Sequence, residues 1–240
     1  MPYNNNGEGD FENQCYKFSQ SMWTKQNPPC DVPISNRKKG FTLRNGVYIS
    51  CPQSFEFLPN GQETWQKCLP FPRSSGDMSH CVAISKTEII YTGGSEKTSR
   101  IYKYNPIERK STEVGKLKHG RWMHSSAFFK GNLIVTGGYN YKTPNIAIGV
   151  STEIIDLKNG ISRLGGKLKA DRRYHGMGVI SKNGKPTLVV FGGACHNKSG
   201  HNISRDSIEE WNDETETWKI SDLKLDIGRH SFDWCSLEEF

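Results

Sequence analysis

Hydrophobic positions along this chain come in short runs rather than at helical spacing. Ile89-Ile90-Tyr91-Thr92, Leu133-Ile134-Val135-Thr136 and Leu188-Val189-Val190-Phe191 each end at a glycine doublet: Gly93-Gly94, Gly137-Gly138 and Gly192-Gly193. Apolar runs this short, bounded by Gly, Asn and Pro, predict buried β-strands; an amphipathic helix would need apolar residues three and four apart over several turns. A second run follows each doublet and ends in a turn: Ile101-Tyr102-Lys103-Tyr104-Asn105-Pro106, Thr152-Glu153-Ile154-Ile155-Asp156 and Ser207-Ile208-Glu209-Glu210-Trp211-Asn212-Asp213. An earlier copy, Ser54-Phe55-Glu56-Phe57-Leu58-Pro59-Asn60, leads into Glu63-Thr64-Trp65, as the last copy leads into Glu216-Thr217-Trp218. No Trp follows Ile155, and Ile161 is the residue that stands in for it.

The spacing is periodic. His80, His124 and His175 precede their doublets by 13, 13 and 17 residues, the longest interval holding the turn Ser181-Lys182-Asn183-Gly184-Lys185-Pro186. His230 extends the column, at successive intervals of 44, 51 and 55 residues. Trp65 and Trp218 lie 153 residues apart, three times 51. Four strands in about 50 residues predict units that each form one antiparallel sheet and bury its faces against their neighbours, as propeller blades do. Glycine suits the end of the second strand because it reaches positive φ and lets another backbone come close. The phased histidines are read with Gly93, Gly94, Gly137, Gly138, Gly192 and Gly193 as structural features of the repeat.

The order His, apolar strand, Gly-Gly, aromatic strand, turn, Trp resembles the Kelch repeat, and Arg121-x-x-His124 and Arg172-x-x-His175 match that family's opening Arg-x-x-His. The resemblance covers residues 78–230 and, in part, residues 40–72, where Ser50-Cys51 replaces the doublet. It implies an all-β, Kelch-type β-propeller of four-stranded antiparallel blades. The units are about 33–77, 78–120, 121–171 and 172–227, with 15–32 and 228–240 as partial terminal blades and 1–14 as a flexible tail. That makes about four to five blades. The ring is either incomplete, or small and complete, with Phe232-Asp233-Trp234-Cys235 sharing a blade with strands around Cys15-Tyr16-Lys17-Phe18.

Composition narrows the function. Aromatic residues make up 11% of the 240, enough bulk to build a core, so disorder throughout is excluded. No run of 18 uncharged apolar residues exists, so membrane insertion is not expected. The net charge of +7 is scattered, with no basic run longer than Arg37-Lys38-Lys39, so nucleic acid is not the expected partner. Compartment stays open. Met1 to Asp10 lacks the apolar run of a secretory signal, which favours the cytoplasm. Five of the seven cysteines (15, 30, 51, 68, 81, 195 and 235) fall early, Cys51 and Cys68 bracket an outer hairpin, and sequons start at Asn197 and Asn202. These features favour an extracellular, disulfide-linked module if the chain is a fragment.

Candidate chemistry is sparse. Cys195, His196 and His201 share a polar loop but lack a fourth ligand for a metal. Asp222-x-x-x-Asp226-x-x-x-His230 resembles the iron-binding Glu-x-x-x-Asp-x-x-x-His of the plant specifier proteins, departing at its first position. The copper ligands of galactose oxidase, another Kelch-like propeller, find no counterparts, and no Gly-x-Ser-x-Gly, phosphate loop or His-Glu-x-x-His occurs. The expectation is a non-catalytic module with no cofactor and no metal; a metal-dependent Kelch enzyme or specifier, and a secreted disulfide-linked binding module, are the alternatives. In Kelch propellers the partner face is built from the loops after the doublet and those joining blades. Here such loops supply Arg100, Arg121, Trp122, Tyr139, Arg172, Arg173, Tyr174, Arg205 and Arg229 as candidate ligand-binding residues. Guanidinium groups and aromatic rings at a ring mouth suit a protein or peptide partner, acidic in character. The resemblance extends to degron-capturing Kelch adaptors, and oligomeric state is left open. If Arg121, Arg172 and Arg173 face the partner, reversing all three to Glu removes capture and leaves the melting curve intact.

Overall fold

Alternating apolar side chains give a strand two faces, and a sheet apolar on both must be covered on both. The chain achieves this by stacking sheets. The structure is a computed structural model that describes residues 15–19, 22–26, 39–51, 54–68, 80–94, 99–140, 147–196 and 202–231. A hairpin of β1 (Cys15–Ser19) and β2 (Met22–Gln26) comes first. Blade 1 is β3 (Lys39–Leu43), β4 (Gly46–Cys51), β5 (Ser54–Pro59) and β6 (Gln66–Cys68). Blade 2 is β7 (His80–Ala83), β8 (Ile89–Thr92), β9 (Arg100–Asn105) and β10 (Lys110–Lys116). Blade 3 is β11 (Ser125–Phe129), β12 (Asn132–Thr136), β13 (Thr152–Asp156) and β14 (Ile161–Leu164). Blade 4 opens with β15 (Gly176–Lys182) and β16 (Lys185–Phe191). A side hairpin of β17 (Ala194–His196) and β18 (Asn202–Ser204) follows, before β19 (Ser207–Asn212) and β20 (Thr217–Lys224) complete the sheet.

Each blade is an antiparallel meander, and the first strands of successive blades, β3, β7, β11 and β15, pack side by side. The molecule is an all-β propeller of four blades, and the described residues include no α-helix. The tail 1–14, the first sequon, His201 and residues 232–235 lie outside the described residues, as do the side chains of Cys15 to Phe18, Cys51 and Cys68.

Each joint has its own core. Leu43 and Tyr48 meet Cys81, Ile89, Tyr91 and Tyr104 between blades 1 and 2. Ile90, Ile101 and Leu117 meet Leu133, Val135 and Ile155 between blades 2 and 3. Phe129, Ile134 and Ile154 meet Met177, Leu188, Val190, Trp211 and Trp218 between blades 3 and 4. Burying one such side chain contributes about 1.5–3 kcal/mol. Trp218 also donates its indole N–H to the Thr152 hydroxyl of blade 3 at 2.9 Å, tying the last strand of one blade to the third strand of its neighbour. Ile161 does not stand in for this tryptophan. Trp218 faces Trp211 across its strand pair; the matching position opposite Ile155 is Ser162, and Ile161 is 60% exposed.

Two histidines keep the expected phase and two do not. His124 and His175 immediately precede β11 and β15 and bond through Nε2 to Thr92 and Thr136 of the preceding blade, at 2.8 and 2.9 Å. His80 lies inside β7 opposite Thr92, the place Ser125 takes opposite Thr136, and bonds forward to Ser126 at 2.7 Å. The reason is the turn between the first two strands, which runs over residues 84–88 in blade 2 and only 130–131 in blade 3. His230 falls in the place of Trp122 and Arg173, so the histidine position of that linker is Phe232.

The doublets explain themselves by contact. A Cβ on Gly137, at φ +61°, would lie 2.4 Å from the Arg172 carbonyl oxygen and 2.7 Å from the His175 ring; on Gly93 it would meet Arg121 and His124 in the same way. The first glycine of a doublet is therefore where one blade touches the linker of the next. Gly137→Ala is expected to lower stability by roughly 3 kcal/mol or more, the left-handed backbone adding about 1–2 kcal/mol to the clash. Gly131→Ala, with positive φ but nothing within 4 Å, should show only the backbone share. Urea denaturation of the two variants checks the difference.

Candidate functional site: the loop face at the blade joints

The linkers that introduce successive blades are copies of one another. Leu117–Met123, Leu168–Tyr174 and the segment 225–231 share the pattern Leu-x-x-x-Arg-x-x. The Leu117, Leu168 and Leu225 amides donate to Ser99, Val150 and Asp206. The Arg121, Arg172 and Arg229 carbonyls accept from the second glycines Gly94, Gly138 and Gly193 at 3.1, 2.9 and 2.8 Å. Met123, Tyr174 and Ser231 all take positive φ, at 57°, 53° and 55°. They form a chain around the mouth, Tyr174 N–H donating to Met123 O and Ser231 N–H to Tyr174 O.

The arginines of the first two linkers point inward. Arg121 and Arg172 are 2% and 0% exposed, each against an equally buried glutamate on the third strand of the blade it introduces. Glu153 accepts from Arg121 Nη2 at 2.5 Å, from the Lys118 and His119 amides at 2.6 and 3.1 Å, and from the Ser162 hydroxyl. Glu209 accepts from Arg172 Nε at 3.1 Å and from the Lys169 and Ala170 amides at 2.7 and 3.2 Å. Arg121 also donates to His119 O, Gly137 O and Ser151, and Arg172 to Gly192 O and Ser207. Burial pulls both guanidiniums below their usual basicity, and the facing carboxylates oppose that shift.

This corrects the surface reading of Arg121 and Arg172: they are internal struts with no face for a partner. Arg173 is also nearly buried, at 9%, its backbone paired with Ala194. Arg100 is exposed but is held on its own blade by Glu113 at 3.3 Å and by the Tyr102 hydroxyl. The Tyr102 hydrogen bond, then the Glu113 charge, raise its basicity.

The loop face that remains is aromatic with a basic edge. Trp122 and Tyr139 pair through their backbones and stack their rings, with centroids 6.1 Å apart and planes 18° apart, leaving Tyr139 42% exposed. At the next linker Tyr174 and His230 lie 6.3 Å apart. Arg205 holds the Asp171 carbonyl through Nε at 2.9 Å, and its own carbonyl accepts the Arg229 amide at 3.1 Å. Arg229 is exposed. The structure thus brings together Trp122 with Tyr139, Tyr174 with His230, and Arg205 with Arg229.

Sequence reasoning missed Glu153 and Glu209. Their signal is an acidic residue at the second or third position of the third strand, blurred by unequal loops after the doublets. Blade 1 carries Glu56 there, and blade 2 carries Tyr102.

Compared with models of known protein families, the chain matches none, and compared with curated protein sequences it also matches none.

Removing one partner of a buried, hydrogen-bonded ion pair costs about 3–5 kcal/mol, because the other charge is left stranded. Arg121→Ala and Glu153→Ala are each expected to lose that much in chemical denaturation, and the double variant less than their sum. The Arg121, Arg172 and Arg173 triple reversal is accordingly expected to unfold the protein, not to spare its melting curve.

Proposed function

We propose that this chain is a Kelch-type propeller acting as a non-catalytic interaction module, binding a protein or peptide segment through its loop face. The observation that carries the reading is the exposed Tyr139 ring, stacked on Trp122 and fixed by a two-way backbone pair beside a glycine doublet. A large ring held in place loses little entropy when a partner covers it, and rigid aromatic anchors of this kind dominate binding energy in protein interfaces. The blades keep the strand ends fixed while the loops carry the contacts. Arg205 and Arg229, with Lys118 and Lys169 exposed on the two earlier linkers, favour an acidic partner. On this reading neither a cofactor nor a metal is required, and neither nucleic acid nor membrane insertion is involved. An adaptor role follows the repeat's resemblance.

Peptides selected from a random library on the purified protein supply the test. Tyr139→Ala is expected to weaken the selected peptides about 30-fold or more, as loss of a buried aromatic anchor does, with the melting temperature unchanged. Peptides that bind the variant as tightly as the parent would remove the loop-face reading.

A further inference from the structure

The linker 225–231 repeats the geometry that, in the two earlier linkers, holds a glutamate. In each earlier copy the carboxylate sits on the amides two and three residues before the arginine and on the arginine itself: Lys118, His119 and Arg121 for Glu153, and Lys169, Ala170 and Arg172 for Glu209. The corresponding donors in the last copy are the Asp226 and Ile227 amides and the Arg229 guanidinium. They are already set. Leu225 and Arg229 make the same backbone bonds as Leu168 and Arg172, to Asp206 and Arg205. Arg229 Nε donates to Ile227 O at 3.4 Å, as Arg121 Nε donates to His119 O at 3.3 Å. Unlike the earlier copies, this one faces outward: Arg229 and Asp226 are exposed, and Ile227 is 69% exposed. Among the described residues its three donors meet no carboxylate.

We propose that Asp226 N–H, Ile227 N–H and Arg229 form a carboxylate-binding cradle whose ligand is a glutamate on an extended segment of a partner polypeptide. The chemistry of recognition is drawn from the fold itself. Two convergent amides and a guanidinium suit a planar carboxylate, and charge-assisted bonds of this kind are about twice as strong as neutral ones. An extended segment is specified because both glutamates held this way lie within a strand, β13 or β19. Two carboxylates oppose the ligand: Asp226 stands, exposed, where the filled copies carry Lys118 and Lys169, and exposed Asp206 lies against the same linker through its bond with Leu225. The site is separate from the Trp122–Tyr139 pair, and either can fail without the other.

The probe is a synthetic peptide of residues 151–157, which carries Glu153, and its counterpart with Gln in that place, each titrated into the full chain and followed by amide NMR. The glutamate peptide is expected to move the Asp226 and Ile227 amide protons downfield and to bind about tenfold tighter than the glutamine peptide. Arg229→Gln is expected to abolish that preference with the fold intact, and Asp226→Lys to strengthen binding several-fold. Equal binding of the two peptides, or a preference that survives Arg229→Gln, overturns the proposal. So does a peptide that shifts neither amide, the outcome if a segment of this same chain already holds the cradle.

Discussion

A carboxylate taken out of water needs its lone pairs answered, and the linkers supply most of the donors to Glu153 and Glu209, Ser162 of β14 adding one to Glu153. The constraint orders the propeller. Hydrophobic contact alone would let two sheets slide over one another, since burial is non-directional. A buried glutamate bound to two amides and a guanidinium fixes the linker against the third strand to within the tolerance of a hydrogen bond. The same arginine presents its carbonyl to the preceding blade's glycine amide, so each lock also sets the position of the neighbour. Blade 2 departs from the scheme: it carries Tyr102 where the lock would have its carboxylate, and Gly76 stands four residues before His80, the place Arg121 takes before Ser125.

What could be read from residues alone follows from how local the physical requirement is. The apolar runs and doublets were legible because a second strand must be buried on both faces and its end must admit another backbone. Trp65 and Trp218 were legible because a large ring recurs at one offset. Arg121 and Arg172 were visible but ambiguous: Arg-x-x-His reads the same whether the side chain turns into the joint or out to solvent. Their glutamates come after loops of different length, so only the strand register aligns them. The histidine column misled for a related reason. His80 and His124 stand equally far from their doublets because the longer turn in blade 2 offsets His80's later start within its strand.

Taking Arg121 and Arg172 out of the exposed surface changes what the loop face is. A ring of guanidiniums would attract any acidic surface over a distance and lose much of that attraction in salt. An aromatic pair on a rigid joint, with Arg205 and Arg229 to one side, depends on contact and shape. On the proposed reading, selectivity would come from the rings, and charge would mainly orient the approach.

The staircase through Met123, Tyr174 and Ser231 separates two duties usually carried by one residue. The backbone at this step does the structural work, donating and accepting at left-handed φ, while the side chain varies from thioether to phenol to hydroxyl with no loss of the pattern. The rim of the mouth can therefore change side chain by side chain at little thermodynamic risk to the scaffold beneath.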